Sequence, residues 1–192
     1  MIPLLKATQA PTRAMKPSKC AVVLIDMQTA PPHLTYFHGS VSKGIERVCS
    51  LLELAKRFKI PIVLVEYAKV ITPSIASIWP ENAKMIQKHN SSAFSSLEFE
   101  TFLKQEGIET LVIAGYNRRL CVLSTVKDAL TRGYGVFTSD SVLFGDSLLE
   151  ELSHFGDVLR SLFFFRKRTK YYSSLSNLEN AIESSLGDVF EA

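Results

Sequence analysis

Cys121, Asp26, Asp140 and Lys88 are the residues of this sequence whose types and positions suit covalent chemistry. Cys121 closes the stretch LVIAGYNRRLC at 111–121, where an apolar run stops at Gly115, crosses a polar turn and delivers a thiol to the front of a helix-like segment. A thiol at a helix N-terminus feels the positive end of the helix dipole, which favours thiolate. Such a nucleophile also needs a base within hydrogen-bond reach and a cation to hold charge. Asp26 could accept the thiol proton, and Lys88 could keep Asp26 ionised and stabilise the thiolate. A Cys-His or Ser-His-Asp arrangement competes, drawing on His33, His38, His89 or His154, none of which ends a predicted strand. The plainer alternative is that an aspartate after a strand caps a turn and a lone cysteine fills core space.

The elements that must position these residues read as an alternation of strands and helices. Cys20 to Ile25 is a continuous apolar run, as expected of a strand covered on both faces, and it ends in Asp26. From Lys43 to Lys59, Ile45, Val48, Leu52 and Ala55 recur at helical spacing. Ile62 to Val65 is the second strand, Leu97 to Gln105 a short helix, Thr110 to Ala114 the third strand, Leu120 to Arg132 a helix, and Gly135 to Ser139 the fourth strand. A helix from Ser147 to about Leu159, a fifth strand at Leu162 to Phe165 and a helix at Leu178 to Ser185 complete the series. Alternation of this kind implies right-handed crossovers and a three-layer α/β/α fold around a mainly parallel, doubly wound sheet of five to six strands. Sites in such sheets lie beyond the carboxyl ends of the strands, which puts Asp26, Cys121 and Asp140 on one edge. The segment from Tyr67 to Ser96 reads as a long loop, and loops of that length usually bind or cover a ligand. Tyr67, Trp79, Phe94 and Tyr116 would line a pocket beneath it, although Phe94 suits plain packing equally well.

Composition narrows the class. With 192 residues, 46% hydrophobic and 21% charged, the chain suits one domain over 20–192 preceded by an extended, proline-broken arm over 1–19. A net charge of +3 does not call for nucleic acid, and the basic run Arg166, Lys167, Arg168 and Lys170 reads as a solvated edge. No apolar run approaches the ~20 residues of a membrane span, and no signal-peptide core stands out. Three cysteines without a C-x-x-C pair argue against a disulfide framework, so the expected compartment is the reducing cytoplasm.

Four segments, AVVLIDMQ at 21–28, KHNSSAF at 88–94, GIETLVIAG at 107–115 and CVLSTVKDALTRGYGVFTSDS at 121–141, together resemble the isochorismatase-like cysteine hydrolases, a family that includes nicotinamidases and N-carbamoylsarcosine amidase. The resemblance extends from Ala21 to about Ser185. It implies a triad of Asp26, Lys88 and Cys121, a cis peptide at Tyr116–Asn117, and an oxyanion hole from the backbone N–H groups of Asn117 and Cys121. It further implies thiolate attack on a carbonyl carbon, loss of ammonia or an amine, and hydrolysis of a thioester. Family members are commonly dimers or tetramers, which implies a homo-oligomer acting on a small molecule. Isochorismatases proper, which cleave a vinyl ether, generally work without the cysteine, so amidase chemistry is the expected branch. A catalytically silent scaffold or a redox-responsive thiol protein are the alternatives.

Three departures refine this expectation. After the first strand the chain reads Asp26-Met27-Gln28-Thr29-Ala30-Pro31 in place of the family's frequent Asp-x-Gln-Asn-Asp-Phe. The stretch Glu66-Tyr67-Ala68-Lys69-Val70 lacks the histidine of the nicotinamidase metal site, so neither a metal nor any other cofactor is expected, and nicotinamide is not the expected substrate. Arg118 stands where the family usually has threonine, next to Arg119. Arg118 either clamps a substrate carboxylate or turns outward to solvent or a neighbouring subunit.

Overall fold

A computed structural model of the chain describes residues 19–27, 41–67, 80–145, 170–172 and 175–187. Six strands form one sheet: β1 (Cys20–Ile25), β2 (Ile62–Tyr67), β3 (Lys84–Lys88), β4 (Thr110–Gly115), β5 (Gly135–Ser139) and β6 (Lys170–Tyr172). Their order is β3-β2-β1-β4-β5-β6 and every neighbouring pair is parallel. The helices are α1 (Val41–Arg57), α2 (Leu97–Gln105), α3 (Leu123–Thr131) and α4 (Leu175–Gly187).

The layers follow from side-chain alternation. Val22, Leu24, Ile62 and Leu64 face one core, where Val48, Leu51, Leu52 and Ala55 of α1 meet Leu178 and Ile182 of α4. Val23, Ile25, Val63 and Val65 face the other, with Phe99 and Leu103 of α2 and Val126 and Ala129 of α3. Strands buried on both faces show no polar alternation, which is why β1, β2 and β4 read as continuous apolar runs. The three-layer α/β/α expectation therefore holds, and among the described residues no helix is long and apolar enough to cross a membrane.

One expectation needs correction. The segment from Tyr67 to Ser96 is not simply a loop, because it contains β3 and a short 3₁₀ turn at Ala93–Ser95. Among the described residues β3 pairs only with β2, and of its five residues only Ile86 and Lys88 are buried. An edge strand so short and polar carries almost none of the apolar signal that revealed its neighbours. Trp79, the predicted helix from Ser147, the predicted strand at Leu162 to Phe165, the arm over 1–18 and His33, His38 and His154 lie outside the described residues.

The strand order reverses direction between β1 and β4, which makes the gap beyond their carboxyl ends the topological switch point. The two strands approach very closely there. Gly115 has φ +119°, and a Cβ on it would lie 2.2 Å from the Ile25 carbonyl oxygen. The Tyr116 N–H donates to that same oxygen at 2.8 Å, so the chain leaves β4 pressed against the residue that precedes Asp26. Gly115→Ala should therefore cost about 2–4 kcal/mol, combining positive-φ strain with a forced backbone shift. Urea denaturation measures it, and a loss under 1 kcal/mol would contradict the close approach.

Candidate active site

Asp26 sits one residue past β1 with φ +49°, a left-handed turn that ends the strand while its N–H still donates to the Val65 carbonyl at 2.8 Å. Lys88 is the last residue of β3 and is fully buried. Its Nζ lies 2.9 Å from Asp26 Oδ2, donates to the Asn90 carbonyl at 3.2 Å, and sits 4.8 Å from the centre of the Tyr67 ring. The ammonium is thus matched by a carboxylate, a carbonyl dipole and an aromatic face, which a buried cation requires. Asp26 Oδ1 is buried and receives no N–H or O–H donor.

Cys121 is half-buried in a π-helical turn, Arg118–Val122, that links β4 to α3. Its thiol lies close enough to the Asp26 and Lys88 side chains for both to act on its ionisation. The three residues are therefore together, although they come from segments far apart in the chain. The expectation of a thiol driven toward thiolate by the helix dipole is overturned. Burial, then the charge of Asp26 and its hydrogen bond, push the Cys121 pKa up to about 11, and Lys88 only partly offsets them. The sequence placed the thiol at the front of a helix, but Cys121 precedes the first residue of α3 and lies within reach of a carboxylate. The resting group is a thiol with a base beside it, which also removes the premise of a redox sensor built on a low-pKa cysteine.

The turn is fastened on several sides. The Arg118 N–H donates to the Phe144 carbonyl at 2.8 Å, and the Phe144 N–H donates to the Gly115 carbonyl at 2.9 Å. The Asn117 side chain accepts from the Arg119 N–H at 3.0 Å, and the Val122 N–H reaches the Asn117 carbonyl at 3.0 Å, an i to i−5 bond that widens the turn. The Tyr116–Asn117 peptide is cis. Thr125, fully buried, donates from Oγ1 to the Cys121 carbonyl at 2.8 Å and accepts from the Ala93 N–H at 3.0 Å. Sequence reasoning missed Thr125; its place one helical turn after Cys121 was the available signal.

Arg118 does not turn outward. It is 3% exposed, and Nη1 lies 3.4 Å from Asp140 Oδ1 just beyond β5, so its guanidinium already holds a carboxylate of the protein itself. Arg119 is half-buried and Tyr116 packs against the α1/α4 core. Tyr67 is 47% exposed beside Lys88. Phe94 is buried against Phe99, Tyr134 and Arg132, so its contacts are those of packing rather than of a pocket wall. His89 is exposed. Among the described residues no three His, Cys, Asp or Glu side chains gather as metal ligands.

An isochorismatase domain model matches residues 20–140. The chain is 28% identical over 112 residues to N-carbamoylsarcosine amidase of an Arthrobacter species, covering 54% of this chain and 40% of that protein, so the matched part is well under two thirds of that relative's length. Its structure is similar to a cysteine hydrolase of Pseudomonas syringae, with TM-score 0.72 and 14% identity over 94% of this chain and all of the other. It is also similar to the ycaC gene product of Escherichia coli, described as an octameric hydrolase of unknown specificity, with TM-score 0.71 and 20% identity over 93% of this chain and 84% of that one.

Two measurements test the geometry. Alkylation of Cys121 by iodoacetamide, followed peptide by peptide in a mass spectrometer, should rise with pH toward a midpoint near 11, and Asp26→Asn should lower that midpoint because it removes the raising charge. An unshifted midpoint would separate Asp26 from the thiol. Asp140→Asn should cost about 3 kcal/mol by stranding the buried guanidinium, and Asp140→Asn with Arg118→Met should cost clearly less than the sum of the single changes.

Proposed function

The chain belongs to the isochorismatase family of hydrolases, and from that premise we propose that it hydrolyses a small-molecule amide or related C–N bond through a thioester on Cys121. The observation that carries this reading is the closeness of the Cys121 thiol to the Lys88–Asp26 ion pair at the switch point of the sheet. Such a grouping supplies a nucleophile, a base and a fixed cation with no need of a metal or another cofactor.

In the proposed sequence, Asp26 removes the thiol proton as sulfur attacks the carbonyl carbon. Lys88 holds the negative charge that passes between carboxylate and sulfur. The carbonyl oxygen becomes an oxyanion facing the backbone N–H groups of Asn117 and Cys121, each of which is worth ~3–4 kcal/mol of barrier in acyl transfer. The proton on Asp26 moves to the departing nitrogen, the C–N bond breaks, and ammonia or an amine leaves. Asp26, ionised again, then takes a proton from water as it attacks the thioester, and the acid departs with the thiol restored.

Arg118 is held at Nη1 by Asp140, so a substrate carboxylate bound by Arg118 would share its guanidinium with that aspartate. Tyr67 remains as the aromatic contact for substrate beside the site. The octameric ycaC product favours a homo-oligomer for this chain, with a dimer or tetramer as the assembly to look for. The free cysteines favour a reducing compartment, and we assign the cytoplasm.

A panel of small amides and carbamoyl compounds, assayed for ammonia and for a covalent mass adduct, tests the reading. The wild-type protein should release ammonia from at least one class and carry an acyl adduct on the Cys121 peptide, and Cys121→Ala should do neither. Asp26→Asn and Lys88→Met should each lower kcat/KM by about 10²–10⁴-fold while the protein stays folded. Neither ammonia nor adduct across the panel would leave a catalytically silent fold.

A further inference from the structure

Among the described residues, two routes join the Lys88 ammonium to the Cys121 turn, and one of them bypasses Asp26 altogether. It is a run of hydrogen bonds. Lys88 Nζ donates to the Asn90 carbonyl at 3.2 Å, and the Asn90 N–H donates to Ser95 Oγ at 3.2 Å. Ser95 closes the 3₁₀ turn Ala93–Ser95, which Ser92 caps by accepting from the Phe94 N–H at 3.2 Å. The Ala93 N–H then donates to Thr125 Oγ1 at 3.0 Å, and that hydroxyl donates to the Cys121 carbonyl at 2.8 Å. A hydroxyl has one proton to give and lone pairs to receive with, so both bonds form at once. A threonine that bonds back to the carbonyl four residues earlier gains its own helix little. What the hydroxyl adds is therefore the tie across the core to Ala93, and a fully buried β-branched side chain makes that tie stiff.

We propose that Thr125 is a positioning residue for the nucleophile, its hydroxyl fixing the distance between the Cys121 sulfur and the Lys88–Asp26 pair by binding Cys121 to the turn that follows β3. Thr125 acts through the Cys121 backbone, and its role rests on Cys121 being the nucleophile proposed above. Without the hydroxyl the ion pair survives, but the sulfur loses its fixed place beside it, and a displacement of about 1 Å is enough to cost a reaction of this kind on the order of 10²-fold in rate.

The test follows iodoacetamide alkylation of the Cys121 peptide against pH in the wild-type chain, Thr125→Val and Thr125→Ser, each with and without Asp26→Asn. The fall in midpoint that Asp26→Asn causes reads how closely the carboxylate sits to the sulfur. Thr125→Val keeps the shape and removes both hydrogen bonds, and in it that fall should shrink to about half or less, as Coulomb's law gives when the charge-to-sulfur distance roughly doubles. Thr125→Ser, which keeps the hydroxyl, should retain most of the fall. A loss of packing alone lowers Tm and leaves the fall as it is. An undiminished fall in Thr125→Val, or an equal reduction in Thr125→Ser, would overturn the proposal. Should Thr125→Val not fold, Ser95→Ala at an exposed position interrupts the same route at Asn90; a partial reduction there supports the proposal and none overturns it. The readout needs no turnover, so a silent amide panel counts against the amidase reading and not against Thr125.

Discussion

A fully buried ammonium has to be matched, and Lys88 imposes that condition on the whole carboxyl edge of the sheet. Taking one partner from such a pair strands the other and typically costs ~3–5 kcal/mol. The match is possible only because β3 runs in register with β2, placing Lys88 opposite Tyr67, and because Asp26 leaves β1 through a left-handed turn that carries its carboxylate to within 2.9 Å. The short edge strand, the positive φ and the close approach of Gly115 to Ile25 all serve the placement of two charges beside one sulfur.

Charge is paired on both sides of the nucleophile turn, by Lys88 with Asp26 and by Arg118 with Asp140. Between these pairs the thiol keeps its proton at neutral pH, because the acid–base partner that must accept it is also the charge that discourages its loss. Oxidants and stray electrophiles react with thiolate, so a cysteine held in this form is quiet until a carbonyl is in place to take the sulfur's electrons. The same arrangement explains why position relative to a helix was a poor guide: a dipole acting over one turn is weak beside a carboxylate close to the thiol.

Much of the fold was legible in the sequence, because strands buried on two faces and helices with one apolar stripe leave clear periodic marks. β1, β4, β5 and α2 stand within a residue of their predicted spans, and α1 begins two residues earlier than its pattern suggested. β3 was illegible for a physical reason: KMIQK has one buried apolar residue and its hydrogen bonds are those of an edge. The residues of the candidate site were legible as types and only partly as contacts. Asp26 and Cys121 were marked by strand ends, whereas Lys88 was drawn from a supposed loop and Arg118 gave no sign that Asp140, 22 residues on, would hold it.

Thr125 gives the nucleophile turn a property that its own sequence does not reveal. One hydroxyl holds the carbonyl of Cys121 and the N–H of Ala93, the latter in the short turn that follows the Lys88 strand. Sulfur and ammonium, carried by different crossovers of the sheet, are thereby fixed to a common point inside the core. Local opening of either segment then releases the point that holds the other, so the stability of the nucleophile turn and that of the turn after the Lys88 strand are linked through one hydroxyl.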